Sequence, residues 1–198
     1  MIPASGYGRR MDTLETMERC YRQTQSVVDA LTSEHADLPT PCPLFDVRAL
    51  FVHVIGVLDM FTAALQDVPY AARGGEVFDG DPLATYRAAV DANLVAWRAR
   101  ENLDGTITLP FGTIPAAMGA RLSTVDVLVH GWDFARASGQ STALPDDLAA
   151  DALGFVQQML RPEMRKDTPD ASFGLEVDVP ADASITDRLV AFVGRSPS

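Results

Sequence analysis

Three residue types are scarce in this sequence, and the scarcity of two of them removes classes of function. Cysteine occurs twice, as Cys20 and Cys42, with no C-x-x-C spacing. That excludes a disulfide framework and a cysteine-rich zinc knuckle, and it makes a reducing cytoplasm the expected setting. Lysine occurs once, at Lys166, and basic residues number 16 against 27 acidic ones, for a net charge of −11. A surface of that sign repels phosphate backbones and anionic lipid, so neither nucleic acid nor a membrane surface is an expected partner. Histidine occurs three times, at His35, His53 and His130. Long apolar runs are also missing. The most apolar stretch, residues 49–65, is interrupted by His53 and Asp59 and falls short of the ~20 residues a membrane span needs. Residues 1–10 lack the apolar stretch of a signal peptide. No phosphate-cradling glycine loop, nucleophile elbow or dinucleotide fingerprint is present.

What remains is a globular composition, 47% apolar over 198 residues, enough for one domain with a sizeable core. Residues 1–10 read as a loose tail. Leu14, Met17, Tyr21, Thr24, Val28 and Leu31 recur at spacings of three and four, which predicts a helix over 12–32 capped by Asp12 or Thr13. Pro39, Pro41 and Pro43 then forbid a helix and make a rigid connector. Asp46 is placed to cap a second helix reaching Gln66, apolar on nearly every side and therefore expected at the centre of the fold. Pro, Gly and Asp over 69–81 mark a long loop, and Pro82 opens a third helix to about Arg100. Alternation over 106–115 predicts a short β-hairpin. A fourth helix covers about 118–138 and stops at Gly139, and a fifth runs from about 145 to 160. Residues 173–179 alternate as a strand would, and 186–193 read as a last helix. The expected division is a tail over 1–10, a helical bundle over 11–165, and a strand/helix segment over 166–198 packed on the bundle.

Scarcity lets the histidines be weighed one by one. His35 sits in a polar stretch and reads as a surface loop residue. His53 lies inside an apolar helix, where an imidazole needs either a hydrogen-bond partner or a metal. His130 follows Asp126 by four residues, which puts both side chains on one face of a helix ~5–6 Å apart at Cβ. The neighbours Val125, Val127, Leu128 and Val129 are apolar, so an aspartate there needs its charge matched. A hydrogen-bonded His/Asp pair or a metal would each do so. Two imidazoles and a carboxylate form a ligand set that leaves coordination positions open, as catalytic metal sites do.

Other residues could join them. Asp133 is expected to pair with Arg136 or face water, with a hydrogen bond to an imidazole as the alternative. Cys42 is expected to be a small packed side chain, with a nucleophile or ligand as the alternative. Trp132 reads as core or pocket wall. Arg48, Arg121 and Arg136 are candidate anion clamps, though surface ion pairs account for them as well.

The segments 39–53 (PTPCPLFDVRALFVH) and 123–135 (STVDVLVHGWDFA) resemble the two signature stretches of the actinobacterial DinB-like metalloenzymes. That group includes the N-terminal domain of mycothiol-dependent maleylpyruvate isomerase. Residues 109–115 (LPFGTIP), 179–184 (VPADAS) and 187–195 (DRLVAFVGR) are similar to further parts of the same subfamily. The resemblance implies a mainly α, DinB/YfiT-like four-helix bundle with a metal held by His53, Asp126 and His130. The isomerase usually has Glu where this chain has Asp126, and the subfamily usually has Trp where it has Phe45. The implied activity is thiol transfer or isomerisation. A divalent metal, zinc ahead of nickel or iron, activates mycothiol or another low-molecular-weight thiol, or water, against a small electrophile. A non-catalytic metal- or small-ligand-binding module is the alternative, and a homodimer is left open.

Overall fold

The computed structural model describes residues 4–74, 77, 80–168 and 173–197. Six helices and one hairpin follow in the order α1 (Ala4–Val28), α2 (Val47–Gln66), α3 (Pro82–Ala99), β1 (Thr106–Leu109), β2 (Gly112–Pro115), α4 (Ala116–Ala137), α5 (Asp146–Met159) and α6 (Ile185–Phe192). This is the mainly α, DinB-like bundle that the resemblance implies. α1 to α4 form the bundle, with α1 packed on α4 and α2 on both α3 and α4, while α5 pairs with α6 beside it.

The caps explain most of the boundaries. Asp46 accepts a hydrogen bond from the Ala49 amide at 2.7 Å and starts α2. Asp81 does the same for Ala84 at 3.0 Å, with Pro82 in the first helical position of α3. Each cap satisfies an amide that has no partner inside its helix. α4 ends where Gly139 takes φ +70, the left-handed conformation a helix stop favours. The connector before α2 is closed by a bridge between Pro39 and Asp46, and the Thr40 amide donates to the Phe45 carbonyl at 3.2 Å. That loop fixes Phe45 beside the start of α2. The hairpin pairs Thr106 with Pro115 through Leu109 with Gly112, and turns Ile107 and Leu109 into the core.

Three expectations are corrected. The segment read as a tail over 1–10 is helical from Ala4, so α1 starts well before Asp12 and Thr13, which lie inside it rather than capping it. Residues 173–179 form no strand; the only described sheet is the hairpin, and the segment lies extended with the Val177 amide donating to the Ala191 carbonyl at 3.0 Å. Alternation alone makes no strand without a partner edge, and Leu175 remains 52% exposed. The central helix is α4 rather than α2. Every residue from Ser123 to Ala135 is buried except Asp126, whereas Val52, Val57 and Met60 of α2 are only half-buried. α4 is enclosed because α1, α2 and the hairpin all pack on it.

α2 is the one described helix long and apolar enough to cross a membrane, yet its Leu50, Val54, Ile55 and Leu58 are fully buried in the core. Burial of each such side chain contributes ~1.5–3 kcal/mol. A polar knot also ties the four bundle helices. The Tyr21 hydroxyl donates to Asn93 Oδ1 at 2.9 Å and lies 2.7 Å from Ser123 Oγ, while Asn93 Nδ2 donates to the Leu58 carbonyl at 2.9 Å. Paired in this way, buried polar groups specify one arrangement of helices. α1 and α4 approach closely at Gly131, where a Cβ would fall 2.3 Å from Thr24 Oγ1.

Candidate metal centre

Two helices deliver the three side chains. His53 comes from the first half of α2, and Asp126 and His130 come from one face of α4. Asp126 Oδ1 lies 3.7 Å from His53 Nε2 and 3.6 Å from His130 Nε2. All three donor atoms fall within 4.8 Å of one another. Donors bound ~2.0–2.1 Å from one tetrahedral ion sit about 3.4 Å apart, so small side-chain adjustments complete the set. The two imidazoles meet edge to face, with ring centroids 4.9 Å apart and an interplanar angle of 83°.

Neighbouring side chains fix the rings. Phe45, from the proline-rich connector, stacks on His53 at 5.0 Å with 25° between the planes. His130 Nδ1 lies 2.8 Å from Asp133 Oδ2. A carboxylate only accepts, so Nδ1 carries a proton in this contact, and Nε2 is the nitrogen turned toward the shared point. Asp133 is fully buried and also accepts a hydrogen bond from Arg195 Nη2 at 3.3 Å. Arg195 is itself only 8% exposed.

Charge follows the same geometry. Burial opposes ionisation of Asp126, but His130 and His53 outweigh it and hold the carboxyl below the usual aspartate range. Burial likewise opposes a charged His53, and the adjacent Asp126 carboxylate overrides it, so the imidazole pKa is raised. Asp133 is held low against burial by Arg195 first and then by His130. Asp126 Oδ2 is buried without a hydrogen-bond partner. A carboxylate oxygen left so is costly, and a cation among these three residues offsets that cost. The residues therefore fit one divalent ion, in donor chemistry and in spacing. The His53 and Asp126 side chains keep 33% and 26% exposure against 8% for His130, so the approach from solvent is on the His53/Asp126 side.

The structure brings together the three residues singled out in the sequence, sets Asp133 and Phe45 against their rings, and leaves the remaining candidates apart. His35 lies in a 3-10 turn, its Nδ1 accepting from the Thr32 amide at 3.0 Å. Cys42 is half-buried, its thiol pKa pushed up by burial against the pull of Arg195, and its sulfur is outside the converging set. Arg48 faces Asp37, Arg121 pairs with Asp151, and Arg136 is exposed in the last turn of α4. Trp132 is core. Asp133 departs from expectation: it holds the His130 ring instead of pairing with Arg136, because at i+3 on an enclosed helix it has no route to water. No spacing or pattern in the sequence points to Arg195. Its only signal is membership of the 187–195 segment, and nothing local places it beside α4. A separate hollow of about 400 Å³ lies against the second half of α2, lined by Asp59, Thr62, Gln66, Tyr70 and Arg73, and includes none of the three.

Residues 17–135 match the mycothiol maleylpyruvate isomerase N-terminal domain family. All three converging residues and Asp133 lie inside that span. Two uncharacterized proteins of Mycobacterium tuberculosis, one from strain CDC 1551 / Oshkosh and one from strain ATCC 25618 / H37Rv, are each 30% identical over 188 residues. The alignment covers 94% of this chain and 99% of each relative. No solved structure matches the chain.

Proposed function

The chain belongs to the mycothiol maleylpyruvate isomerase N-terminal domain family, and from that premise we propose that it is a metal-dependent thiol transferase or isomerase. His53, Asp126 and His130 hold one divalent ion, zinc ahead of nickel or iron, and the reactants are a low-molecular-weight thiol such as mycothiol and a small electrophile. The observation that supports this reading most is the convergence of three donor atoms from α2 and α4 around a buried carboxylate that lacks a partner. When bound, the ion supplies a Lewis acid that keeps a thiol deprotonated, or lowers the pKa of water to ~7.

The chain's own residues do the rest. Asp126 contributes the one carboxylate charge among the three residues, which would leave a bound divalent ion with net positive charge toward an anionic thiolate. Asp133 takes the Nδ1 proton of His130 as a hydrogen bond and commits Nε2 to the site. Phe45 limits rotation of the His53 ring. Binding two reactants at one centre replaces a bimolecular encounter with an oriented one.

Elemental analysis of the protein purified without chelator tests the first half: about one divalent ion per chain is expected, lost in His130→Ala. The second half is tested by incubating the metal-loaded protein with low-molecular-weight thiols and a panel of activated alkenes, epoxides and alkyl halides. Thiol consumption is the expected result. Metal bound at full stoichiometry with no consumption across the panel would instead identify a binding module.

A further inference from the structure

The C-terminal segment reaches the centre through one side chain, and several contacts exist to deliver it. Ser184 caps α6 by accepting from the Asp187 amide at 3.0 Å. Leu189 and Val190 are fully buried, which anchors the helix. Past the helix, Gly194 takes φ +91, and a Cβ there would lie 2.8 Å from Gly174 Cα, so only glycine fits against the extended segment. Arg165 braces both strands of chain, donating from Nη1 to the Gly174 carbonyl at 3.1 Å and the Phe192 carbonyl at 2.6 Å. The next residue after this crossing is Arg195. Its amide donates to the Val190 carbonyl at 2.9 Å, its Nη1 to the Val193 carbonyl at 3.1 Å, and its Nη2 to Asp133 Oδ2.

The oxygen that Arg195 engages is the one that receives the His130 Nδ1 proton. We propose that Arg195 is a positioning residue of the metal centre, acting through Asp133 to hold His130 in the tautomer that presents Nε2 to the ion. The guanidinium contact fixes the position of the very oxygen that the His130 ring bonds, so the ring is oriented through two successive hydrogen bonds. Lysine retains the charge at this position but lacks the planar fork that contacts Asp133 and the Val193 carbonyl together. This inference rests on the metal-centre reading above. It assigns the segment after residue 135 a part in a site whose ligands all lie before it.

The experiment has a metal-free arm and a metal-loaded arm. In the metal-free protein, the ring ¹⁵N shifts of His130 report its tautomer. The Nδ1–H form is expected to dominate in the unaltered chain and to give way to a mixture in Arg195→Met. In the loaded arm, zinc affinity is read by competition with a chelating dye and site symmetry by the visible spectrum of the cobalt(II) protein. Arg195→Met should weaken zinc by about 10- to 100-fold and shift the cobalt bands, and Arg195→Lys should recover part of the loss. Arg165→Met removes a brace of the same segment without touching Asp133, and should leave the tautomer and the spectrum unchanged. An Nε2–H tautomer in the unaltered chain overturns the proposal without any variant. So does an Arg195→Met protein with unchanged zinc affinity and cobalt spectrum, or an Arg165→Met protein that loses zinc to the same degree. A chain with the expected tautomer that takes up no divalent ion overturns the metal-centre reading itself, and with it this role for Arg195.

Discussion

His130 and Asp133, one turn apart on α4, are joined by a 2.8 Å contact between Nδ1 and Oδ2 in which neither residue is open to bulk water. The contact makes the ligand helix carry its own orienting group. Asp133→Asn tests it: the amide can donate as well as accept and so no longer selects the tautomer. Zinc affinity is expected to fall about 10- to 100-fold with little change in helix content, measured by chelator competition and circular dichroism.

The raised pKa of His53 predicts an unusual pH response in the metal-free protein. The charged imidazole beside Asp126 contributes stability that is fully present below its unfolded pKa of about 6.5 and is lost as pH rises through the higher folded value. The melting temperature without metal should therefore fall between about pH 6 and pH 8. Protons compete with metal for the same imidazole, so zinc should protect most at pH 8 and be released on acidification. Thermal melts with and without zinc across this range check both signs. A metal-free melting curve that rises toward pH 8 would contradict the His53–Asp126 coupling.

Phe45→Ala removes the ring stacked on His53. A loss of about 0.5–1.5 kcal/mol in stability is expected from the ring contact, read by urea unfolding. A few-fold weakening of zinc should accompany it, because the imidazole gains rotameric freedom. Phe45→Trp should retain both properties.

Tyr21→Phe leaves Asn93 Oδ1 and Ser123 Oγ without their shared partner in the buried core. The expected cost is about 1–3 kcal/mol. Metal content should remain at the unaltered level, since the knot touches none of the ligands.

Gly131→Ala sets a methyl group against Thr24, whose Oγ1 would lie 2.3 Å away. Destabilisation of about 1–3 kcal/mol is expected as α1 and α4 are forced apart. The double variant Gly131→Ala/Thr24→Ala should recover part of it, and denaturant midpoints of the three proteins decide.

The fold was legible in the sequence where local chemistry sets it. Asp46, Asp81, Pro82 and Gly139 mark their helix ends in the sequence because capping needs only a side chain and its near neighbours. The 106–115 hairpin was likewise readable from its alternation. What failed depends on distant partners. Residues 173–179 have a strand's pattern but no edge to join, and the enclosure of α4 rather than α2 is a property of the assembled bundle. In the site, the i, i+4 spacing of Asp126 and His130 could be read directly. The pairing of α2 with α4 that brings in His53 is tertiary, and the resemblance supplied it. Arg195 was beyond reach, since its partner Asp133 is 62 residues away and a lone arginine after a glycine carries no local mark.

That separation also has a temporal meaning. Asp133 emerges during synthesis well ahead of the guanidinium that neutralises it, and α4 cannot sink that charge into an apolar interior beforehand without cost. Closure of the core around α4 is thus tied to arrival of the turn after α6.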